Sequence, residues 1–317
     1  DRIVGYRHFV NKIWNAARLV LINIEDMEEI APGERVYTLA DRWILCRLSE
    51  VSGEVAEAID DYRFNDAANL CYRFVWHEFC DWYLEMAKEA LYGDDGRKKA
   101  TTQMVARDVL LAVLKLLHPF MPFVTEELWQ KVPGTDGSIM IAEFPSPADY
   151  PFDEDATKEM DIVMDVVSGI RNIRGEMRIP PAKKVNIVVD VGDEKQAETI
   201  RNNMAYVRSL AKVEELSFTS GAEKPEGSAT AVCGALQVHV LLAGLLDFEE
   251  EKKRLRKEIQ KVEKDMEVGR GKLENEKFLQ KAPADIVKEV KDKVENLSLR
   301  LERLKKNLEF FEGLDDR

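Results

Sequence analysis

The polar residues with the clearest chemical potential lie on one face of a long predicted helix, Asn65–Tyr92. His77 and Asp81 are four residues apart, so their side chains can meet, and Glu78 adjoins them. These are residue types of general acid–base catalysis, but no nucleophile, glycine-rich oxyanion turn or metal partner accompanies them. We therefore expect a hydrogen-bonded polar stripe between packed helices, with Asp81 able to border a binding pocket. The stripe consists of Arg73, His77, Asp81 and Glu85.

The chain has four cysteines, and their spacing does not predict a metal site. Cys71, His77 and Cys80 come nearest to a ligand set, but offsets of six and nine residues point these side chains in different directions around a helix. No two cysteines form a CxxC pair. Buried free thiols in a reducing compartment are expected, without a metal ion.

A second polar group lies on the first predicted helix, Gly5–Asn23. Lys12, Asn15 and Arg18 recur every three residues and form one face of this helix. Amide and cationic side chains on one face could together bind a polar or anionic ligand. The alternative is an ordinary solvated helix face. Arg2, just ahead of the helix, is a weaker addition to the same surface.

Residues 168–184 carry five basic side chains against a single acid, Glu176. Such a cluster could contact RNA phosphates, and each contact would steepen the salt dependence of binding. Ion pairs with the acidic helices nearby are an equally good explanation. The basic residues are Arg171, Arg174, Arg178, Lys183 and Lys184.

Composition limits the classes of function. The 317 residues are 45% hydrophobic and 33% charged, as in a folded globular protein, and no apolar run is long enough to cross a membrane. The net charge of −13 argues against a generic nucleic-acid binder. Residues 249–317, however, contain 19 lysines and arginines and 18 aspartates and glutamates, so local basic faces must meet any anionic ligand. With neither a signal peptide nor an initiator methionine, we expect a cytoplasmic protein and a piece of a longer chain.

Hydrophobic periodicity predicts an up-and-down helical bundle in residues 1–150. A second helix covers Leu39–Asp60, and the long helix that carries the polar stripe is third. Asn65 is predicted to be the N-cap of this third helix, and Gly93 its left-handed C-cap. The prolines of the HPFMPF run end a fourth helix and begin a short fifth.

The pattern of residues 151–243 indicates a small α/β subdomain. A helix over Asp153–Met177 precedes a strand rich in β-branched residues, Val185–Val191. One more helix and three short strands are predicted after it, at Lys195–Leu210, Val213–Phe218, Ala231–Cys233 and Leu236–Leu242.

Residues 244–317 show a heptad pattern that is interrupted at Pro283. Two heptad helices joined at a proline must fold back on each other, so this segment is predicted to be an antiparallel coiled-coil hairpin. It is too thin to hold a globular core, and we expect it to be an arm that contacts a partner. Gly269 occupies one seam position. The other seam residues include Leu255, Ile259, Val262, Met266, Leu273, Val290, Val294, Leu297, Leu301, Leu304, Leu308 and Phe311.

Six motifs resemble the C-terminal third of bacterial valyl-tRNA synthetases. They are NKIWNAARLVL, LADRWIL, FVWHEFCDWYLEMAK, LLHPFMPFVTEELW, IRNIRGEMRIPPAKK and KLENEKFLQKAP. The HPFMPFVTEELW run would also suit leucyl and isoleucyl relatives, whereas the hairpin with its NEKFLQKAP turn points to the valyl family. The resemblance covers essentially the whole chain.

This resemblance implies a mainly α fold: the helical-bundle anticodon-binding domain of class I synthetases, a small α/β linker subdomain and a C-terminal antiparallel coiled-coil hairpin that contacts tRNA. It implies that the face of Lys12, Asn15 and Arg18 meets the anticodon, with Asp81 at the border of the same pocket. Leu19 stands where the family has an aromatic residue, so only apolar contact with a base is expected there.

For the arm, the resemblance implies contact with the outer corner of tRNA, where the D and T loops meet. Phe278 could pack on an exposed tertiary base pair; alternatively, it closes the end of the hairpin as a hydrophobic plug. Most other charges on the arm are expected to keep the coiled coil soluble. The residues assigned to tRNA phosphates are Lys272, Lys277, Lys281 and Arg300.

The HIGH-like and KMSKS-like ATP-site motifs and an editing domain are absent from the sequence, so we expect no catalytic residue in this chain. By resemblance, ATP and Mg²⁺ serve valine activation in the rest of the enzyme, and this part needs no cofactor. The expected partners are valine tRNA and the catalytic domain of the same polypeptide, in a monomer without membrane contact. Two alternatives stay open: the matching part of an isoleucyl or leucyl enzyme, and an interaction module whose arm pairs with a protein helix.

Overall fold

The computed structural model describes residues 2–221, 224–245, 248–275 and 282–313. The fold is mainly α, with one small sheet and a helical hairpin, as the sequence predicts. None of the helices in these ranges is long and apolar enough to span a membrane. The bundle consists of α1 (Arg2–Asn23), α2 (Leu39–Asp60), α3 (residues 64–91), α4 (Gly96–Leu117) and α5 (Pro122–Trp129).

A buried carboxylate joins three helices of the bundle. Thr38 and Asp41 form a reciprocal capping box at the start of α2. Asp41 also accepts hydrogen bonds from Tyr83 of α3 (3.0 Å) and Thr102 of α4 (2.9 Å). Burial raises the pKa of Asp41, while the four donated hydrogen bonds favour its charged form. Because a buried carboxylate without partners is costly, this network helps to specify how α2, α3 and α4 pack.

Helix α3 is continuous, as predicted, but its middle is not α-helical. Phe64–Arg73 and Leu84–Leu91 are α-helical, whereas Phe74–Tyr83 is wound as a π-helix. A π-helix bonds residues five apart instead of four, and such stretches occur frequently at functional sites. The prediction of a regular α-helix is therefore wrong for these ten residues. Apolar spacing on a helix this hydrophobic does not separate the two windings.

Both predicted caps of α3 differ from the structure. The helix begins at Phe64, one residue before Asn65, and Arg63 at the N-cap makes no side-chain hydrogen bond to the helix end. Gly93 does not have a positive φ, so it is not a left-handed cap. A Cβ at Gly93 would lie 2.8 Å from the carbonyl oxygen of Glu89, so close backbone approach explains the glycine.

Helix α6 (Glu154–Glu176) packs against both α2 and the sheet. Its N-cap is Asp153, whose carboxylate accepts a hydrogen bond from the Ala156 N–H at 2.9 Å. Gly169 allows the close approach of the sheet, because a Cβ there would collide with the Cys233 Sγ. The side chains that α6 buries include Met160, Val163, Val166, Val167, Ile170 and Ile173.

The sheet has four strands in the order β2–β1–β4–β3. Strands β1 and β2 are parallel, whereas β4 is antiparallel to both β1 and β3. The connection from β1 to β2 holds two helices, α7 (Glu194–Asn202) and α8 (Met204–Ala211), because the predicted single helix is interrupted at Asn203. The strands are β1 (Val185–Asp190), β2 (Val213–Thr219), β3 (Ser228–Cys233) and β4 (Leu236–Leu241).

The arm is an antiparallel pair of helices, α9 (Phe248–Glu274) and α10 (Ala284–Glu312), with Pro283 at the N-cap of α10. This confirms the predicted break at the proline. A Cβ on Gly269 would lie 2.5 Å from the Val294 Cγ2, so Gly269 occupies a seam position, as expected. The seam is most deeply buried near the root of the arm, at Leu255, Ile259, Val262, Leu301, Leu304 and Phe311.

Candidate nucleic-acid interface

Lys12 is the centre of the polar contacts between α1 and α3. Its ammonium group forms an ion pair with Asp81 and lies 4.1 Å from the centre of the Trp76 ring. Trp76 and Asp81 are five residues apart in the π-helical stretch, so the wider winding brings both to the same lysine. The structure thus brings together two of the predicted anticodon residues, Lys12 and Asp81, and adds an aromatic ring.

Three rings beside Lys12 form what we call the aromatic row: Phe9, Tyr72 and Trp76. The rings of Tyr72 and Trp76 are stacked at 5.6 Å with planes 24° apart, and Phe9 is 4.8 Å from Tyr72. Tyr72 is 36% exposed, so part of the row faces solvent. Sequence reasoning missed it and assigned Trp76 to the apolar surface of α3. The available signal was the pair of aromatic residues four apart at the edge of the polar stripe.

A groove of about 610 Å³ adjoins the aromatic row. Its walls combine aromatic rings, including the 66% exposed Tyr6, with the exposed amides of Asn65 and Asn69. Flat rings and amides are the groups that receive unstacked bases in single-stranded RNA. The remaining lining residues are Phe9, Ala68, Tyr72, Leu117, Phe120 and Met121.

The other predicted anticodon residues have unequal surroundings. Asn15 and Arg18 are exposed on α1 and, within the described ranges, form no hydrogen bond or ion pair that would compete with a ligand. Leu19 is half-buried and packed against the bundle core, so less of it is available to a base than the prediction assumed. Arg2 belongs to α1, but its side chain lies outside the described part of the structure.

The candidate acid–base residues on α3, His77, Asp81 and Glu78, do not form one group. His77 Nδ1 lies 3.5 Å from the Asp81 carboxylate. Glu78 instead accepts two hydrogen bonds from Arg47 of α2, at 2.7 and 3.1 Å, which raise the pKa of that guanidinium. All four residues of the polar stripe are exposed, so the prediction of a stripe between packed helices is wrong. Asp81 alone among them joins α3 to another helix in the described ranges, through its ion pair with Lys12. Across the described ranges, no cluster of three or more His, Cys, Asp or Glu side chains could hold a metal ion.

Arg171 and Arg174 on α6 contact other parts of the same chain. The Arg171 guanidinium lies over the Trp82 ring at 5.2 Å and donates to the Leu210 carbonyl at 3.1 Å. Arg174 donates to the Pro180 carbonyl at 3.0 Å. The partners of Arg171 and Arg174 are thus backbone carbonyls and an aromatic ring. Within the described part of the chain, neither arginine forms the ion pair with an acidic helix that was the alternative from the sequence.

Arg178 and Arg300 meet at a single carboxylate, that of Glu258 in α9. Arg178 donates to both oxygens at 2.9 and 3.0 Å, and Arg300 donates at 2.6 Å. Arg254 of α9 donates to the same group at 2.7 Å. These arginines lower the pKa of Glu258, with Arg300 as the largest cause. We call this group the Glu258 cluster; it links the end of α6 to both helices of the arm.

The outer part of the arm is only partly described. Lys272 is exposed near the end of α9. Lys277, Phe278 and Lys281 lie outside the described residues, so neither position predicted for Phe278 is tested.

Two family models of known proteins match separate parts of the chain. Residues 41–189 match the family model of the anticodon-binding domain of tRNA ligase, and residues 247–311 match that of the valyl tRNA synthetase tRNA binding arm. The chain is 47% identical over 98% of its length to the valine–tRNA ligase of Syntrophotalea carbinolica. It is 45% identical over 98% to that of Geobacter sulfurreducens, and 42% identical over 95% to that of Thermotoga maritima. The chain belongs to the valine–tRNA ligase family.

The chain spans about a third of the length of these relatives, 35% of the first two and 33% of the third. It therefore corresponds to the anticodon-binding and arm portions of a valine–tRNA ligase. The arm match favours the valyl family over the isoleucyl and leucyl alternatives and over an unrelated interaction module.

Proposed function

We propose that this part of a valine–tRNA ligase binds tRNA at two separate places, with the face of α1 on the anticodon and with the arm on the outer corner of the molecule. The observation that carries the proposal is the presence, in one chain, of an anticodon-binding domain and a tRNA-binding arm at opposite ends of the sequence. Two moderate contacts on one rigid ligand raise the overall affinity through effective concentration. An acidic chain can bind RNA in this way, because only its local basic faces need to meet phosphates.

The chemistry of α1 supports the anticodon assignment. Asn15 and Arg18 are exposed, Lys12 is held beside them, and the aromatic row supplies rings on which a base can stack. Amides bond base edges, cations hold phosphates and rings take base faces. Asp81 acts on this face through Lys12, whose position it restrains. Leu19 packs beneath this face, and Arg2 stays a proposed addition to it from its position in the sequence.

The arm is proposed to bind through Lys272, Lys277, Phe278 and Lys281 near its outer end, by resemblance to the family. In the whole enzyme, valine would be activated with ATP and Mg²⁺ and joined to tRNA elsewhere, in a cytoplasmic monomer. The chain itself is proposed to have three parts, residues 1–150, 151–243 and 244–317. Arg171 and Arg174 have a smaller proposed role, since their donors already bind this chain.

The test is binding of this chain to valine tRNA and to the same tRNA with a replaced anticodon, in moderate salt. We expect a several-fold loss on replacement, and Asn15→Ala should remove most of that difference. Asn202→Ala, which changes an exposed amide on α7, is the control and should leave it intact. If the chain binds both tRNAs equally, and only Phe278→Ala or loss of the arm lysines weakens binding, the arm alone binds the tRNA. In that case the anticodon assignment is wrong.

A further inference from the structure

We propose that Arg178 and Arg300 together form a phosphate-binding site at the root of the arm, in which Glu258 holds both arginines ready for one phosphodiester of the bound tRNA. The inference rests on the proposed function and deepens it: two residues that the sequence predicted for separate phosphate contacts, Arg178 and Arg300, are placed in one site. Arg178 follows α6 and Arg300 lies in α10, so the site exists only when the arm is folded against the α/β part.

The carboxylate at the centre of the Glu258 cluster is largely shielded, with 13% of its side chain exposed. The two arginines are open to solvent, with 53% and 56% of their side chains exposed. Each reaches Glu258 through Nη2 alone. Within the described ranges, their Nε and Nη1 groups have no hydrogen-bond acceptor. A guanidinium carries five N–H donors, so both arginines keep donors available for a second anion.

The charges of the cluster favour an anion. Arg178, Arg254 and Arg300 are balanced locally by Glu258 and by Glu251, which pairs with Arg254. Among these ion-paired groups, three positive charges face two negative ones, on a chain whose overall charge is −13. Arginine binds phosphate oxygens through its planar fork of donors, and two forks fixed by one carboxylate lose little freedom on binding.

The backbone at the end of α6 sets the direction of the Arg178 side chain. The φ of Arg178 is +51°, a left-handed conformation that is uncommon for a residue with a side chain. The residue just past α6 thus turns back, and its side chain reaches Glu258 in α9. The conformation belongs to a Schellman cap, in which the Ile179 N–H binds the Arg174 carbonyl at 2.9 Å and the Arg178 N–H binds the Gly175 carbonyl at 3.2 Å.

A phosphodiester fits this site better than an acidic peptide does, because the site lies between the two parts of the chain that match tRNA-binding families. A contact at the root would also couple RNA binding to the position of the arm. The tRNA backbone would be bound by the same arginines that fix the arm to the α/β part.

The decisive experiment maps protected phosphates on valine tRNA carrying random phosphorothioates, by iodine cleavage in the presence of this chain. We expect at least one phosphate that is protected by the unmodified chain and exposed in both Arg178→Gln and Arg300→Gln. If the arginines only hold the arm in place, these variants should instead expose the phosphates contacted by the outer arm, with no position common to both that is distinct from them. That outcome would overturn the inference.

Salt dependence provides the second readout. Each single variant should lower the slope of log K against log salt by about 1 or less, as for one phosphate contact. The double variant should lose little more than either single variant, because both arginines share one phosphate. Arg63→Gln is the matched control, since Arg63 is an exposed arginine, 46% exposed and paired with Asp61 and Asp66, at a distance along the chain from this cluster. Its slope should equal that of the unmodified chain.

The outcomes separate the two proposals. If the unmodified chain fails to bind tRNA, the proposed function fails, and the phosphate site fails with it. If the chain binds tRNA and distinguishes anticodons, but Arg178→Gln and Arg300→Gln change neither the protected phosphates nor the slope, the function stands and the phosphate site is wrong. Circular dichroism of each variant establishes that both arm helices are retained.

Discussion

At the scale of single residues, the surface of α1 depends on what α3 places beside it. Lys12 alone on a helix would be a mobile surface cation. Between the Trp76 ring and the Asp81 carboxylate it has a defined position, from which it can order the neighbouring exposed Asn15 and Arg18. The aromatic row also supplies the ring surface that Leu19 does not provide.

Tyr72→Ala tests whether the aromatic row stacks on tRNA bases, because Tyr72 is partly exposed and lines the groove, whereas the Trp76 ring already contacts Lys12 and Tyr72. A stacked base is worth about 1–3 kcal/mol, so the variant should bind valine tRNA roughly 5- to 150-fold more weakly, with less dependence on the anticodon. The measurement is a titration monitored by fluorescence anisotropy of labelled tRNA. Tyr92→Ala is the control, because Tyr92 is 65% exposed at the far end of α3 from Tyr72. Equal losses in both variants would argue against a specific stacking role.

The cysteines give a prediction that needs no RNA. Burial raises the pKa of Cys71 and of Cys80 to about 12 and that of Cys233 to about 11. At pH 8 all three are therefore thiols, and a thiol reacts far more slowly than a thiolate. Cys46 is fully buried. We expect no rapid reaction with Ellman's reagent at pH 8 in the native state and four thiols after denaturation; a fast phase in the native protein would contradict this.

At the scale of elements, the π-helical stretch of α3 has a local consequence for binding. In an α-helix, Trp76 and Asp81 would point about 140° apart around the axis, and a single lysine would not reach both so directly. The π-helical winding over Phe74–Tyr83 brings the two side chains to the same side of the helix. The same stretch carries His77, which contacts Asp81, and Glu78, which binds Arg47 on the opposite helix.

Two glycines of α9 provide a matched test of the arm. A Cβ at Gly269 would lie 2.5 Å from the Val294 Cγ2, whereas a Cβ at Gly271 would meet no atom within 4 Å. Gly271→Ala should stabilise the arm by about 1 kcal/mol through helix propensity. Gly269→Ala should instead destabilise it, because overpacking costs about 1–3 kcal/mol and exceeds that gain.

The measurement for the arm glycines is thermal unfolding of each variant by circular dichroism. Adding Val294→Ala to Gly269→Ala should restore part of the lost stability, since it removes the group that the new methyl contacts. If Gly269→Ala and Gly271→Ala shift the melting temperature equally, the seam is not packed as described.

At the scale of the whole molecule, the Glu258 cluster determines how the arm is joined to the rest of the chain. The arm is a two-helix hairpin whose seam is most deeply buried near its root. The contacts at the root therefore determine the direction in which the arm extends. Glu258 binds one arginine from each of three places: the end of α6, α9 and α10. This arrangement resists both separation of the two helices and rotation of the arm.

The position of the arm should depend on acid pH. The pKa of Glu258 is lowered from 4.5 in the folded chain, because its charged form is paired with arginines. The contribution of the cluster is therefore present above about pH 4.5 and is lost as pH falls through the lower, folded-state pKa. Energy transfer between dyes on Glu198→Cys and Glu267→Cys, both exposed, would show a broader range of arm positions as acid is added.

Glu258→Gln should show that broad range of arm positions already at pH 7, with its helix content unchanged. Glu263→Gln is the control, because Glu263 also bridges the two arm helices, through Lys305 at 2.8 Å, but has no contact with Arg178. A narrow distribution in Glu258→Gln would mean that apolar packing at the root suffices to hold the arm.

Much of the architecture follows from the sequence alone, because helix and strand signals are local. The predicted Leu39–Asp60 helix agrees with α2 at both ends, and the heptad pattern with Pro283 specified the hairpin and its break. Apolar spacing and the effects of proline depend on residues that are close together in the sequence, so they can be recognised without the structure. The motifs likewise indicated the family over nearly the whole chain.

Only the tertiary structure decided which distant residues meet. Arg178 and Arg300 are both basic in the sequence, but nothing local brings them to Glu258, since that contact depends on where the arm folds back. Trp76 is an apolar residue of α3 by periodicity, and it faces Lys12 only because ten residues of that helix are wound as a π-helix. The sequence gives the type of each side chain. The partner of that side chain, and with it the role, depends on how segments far apart along the chain pack together.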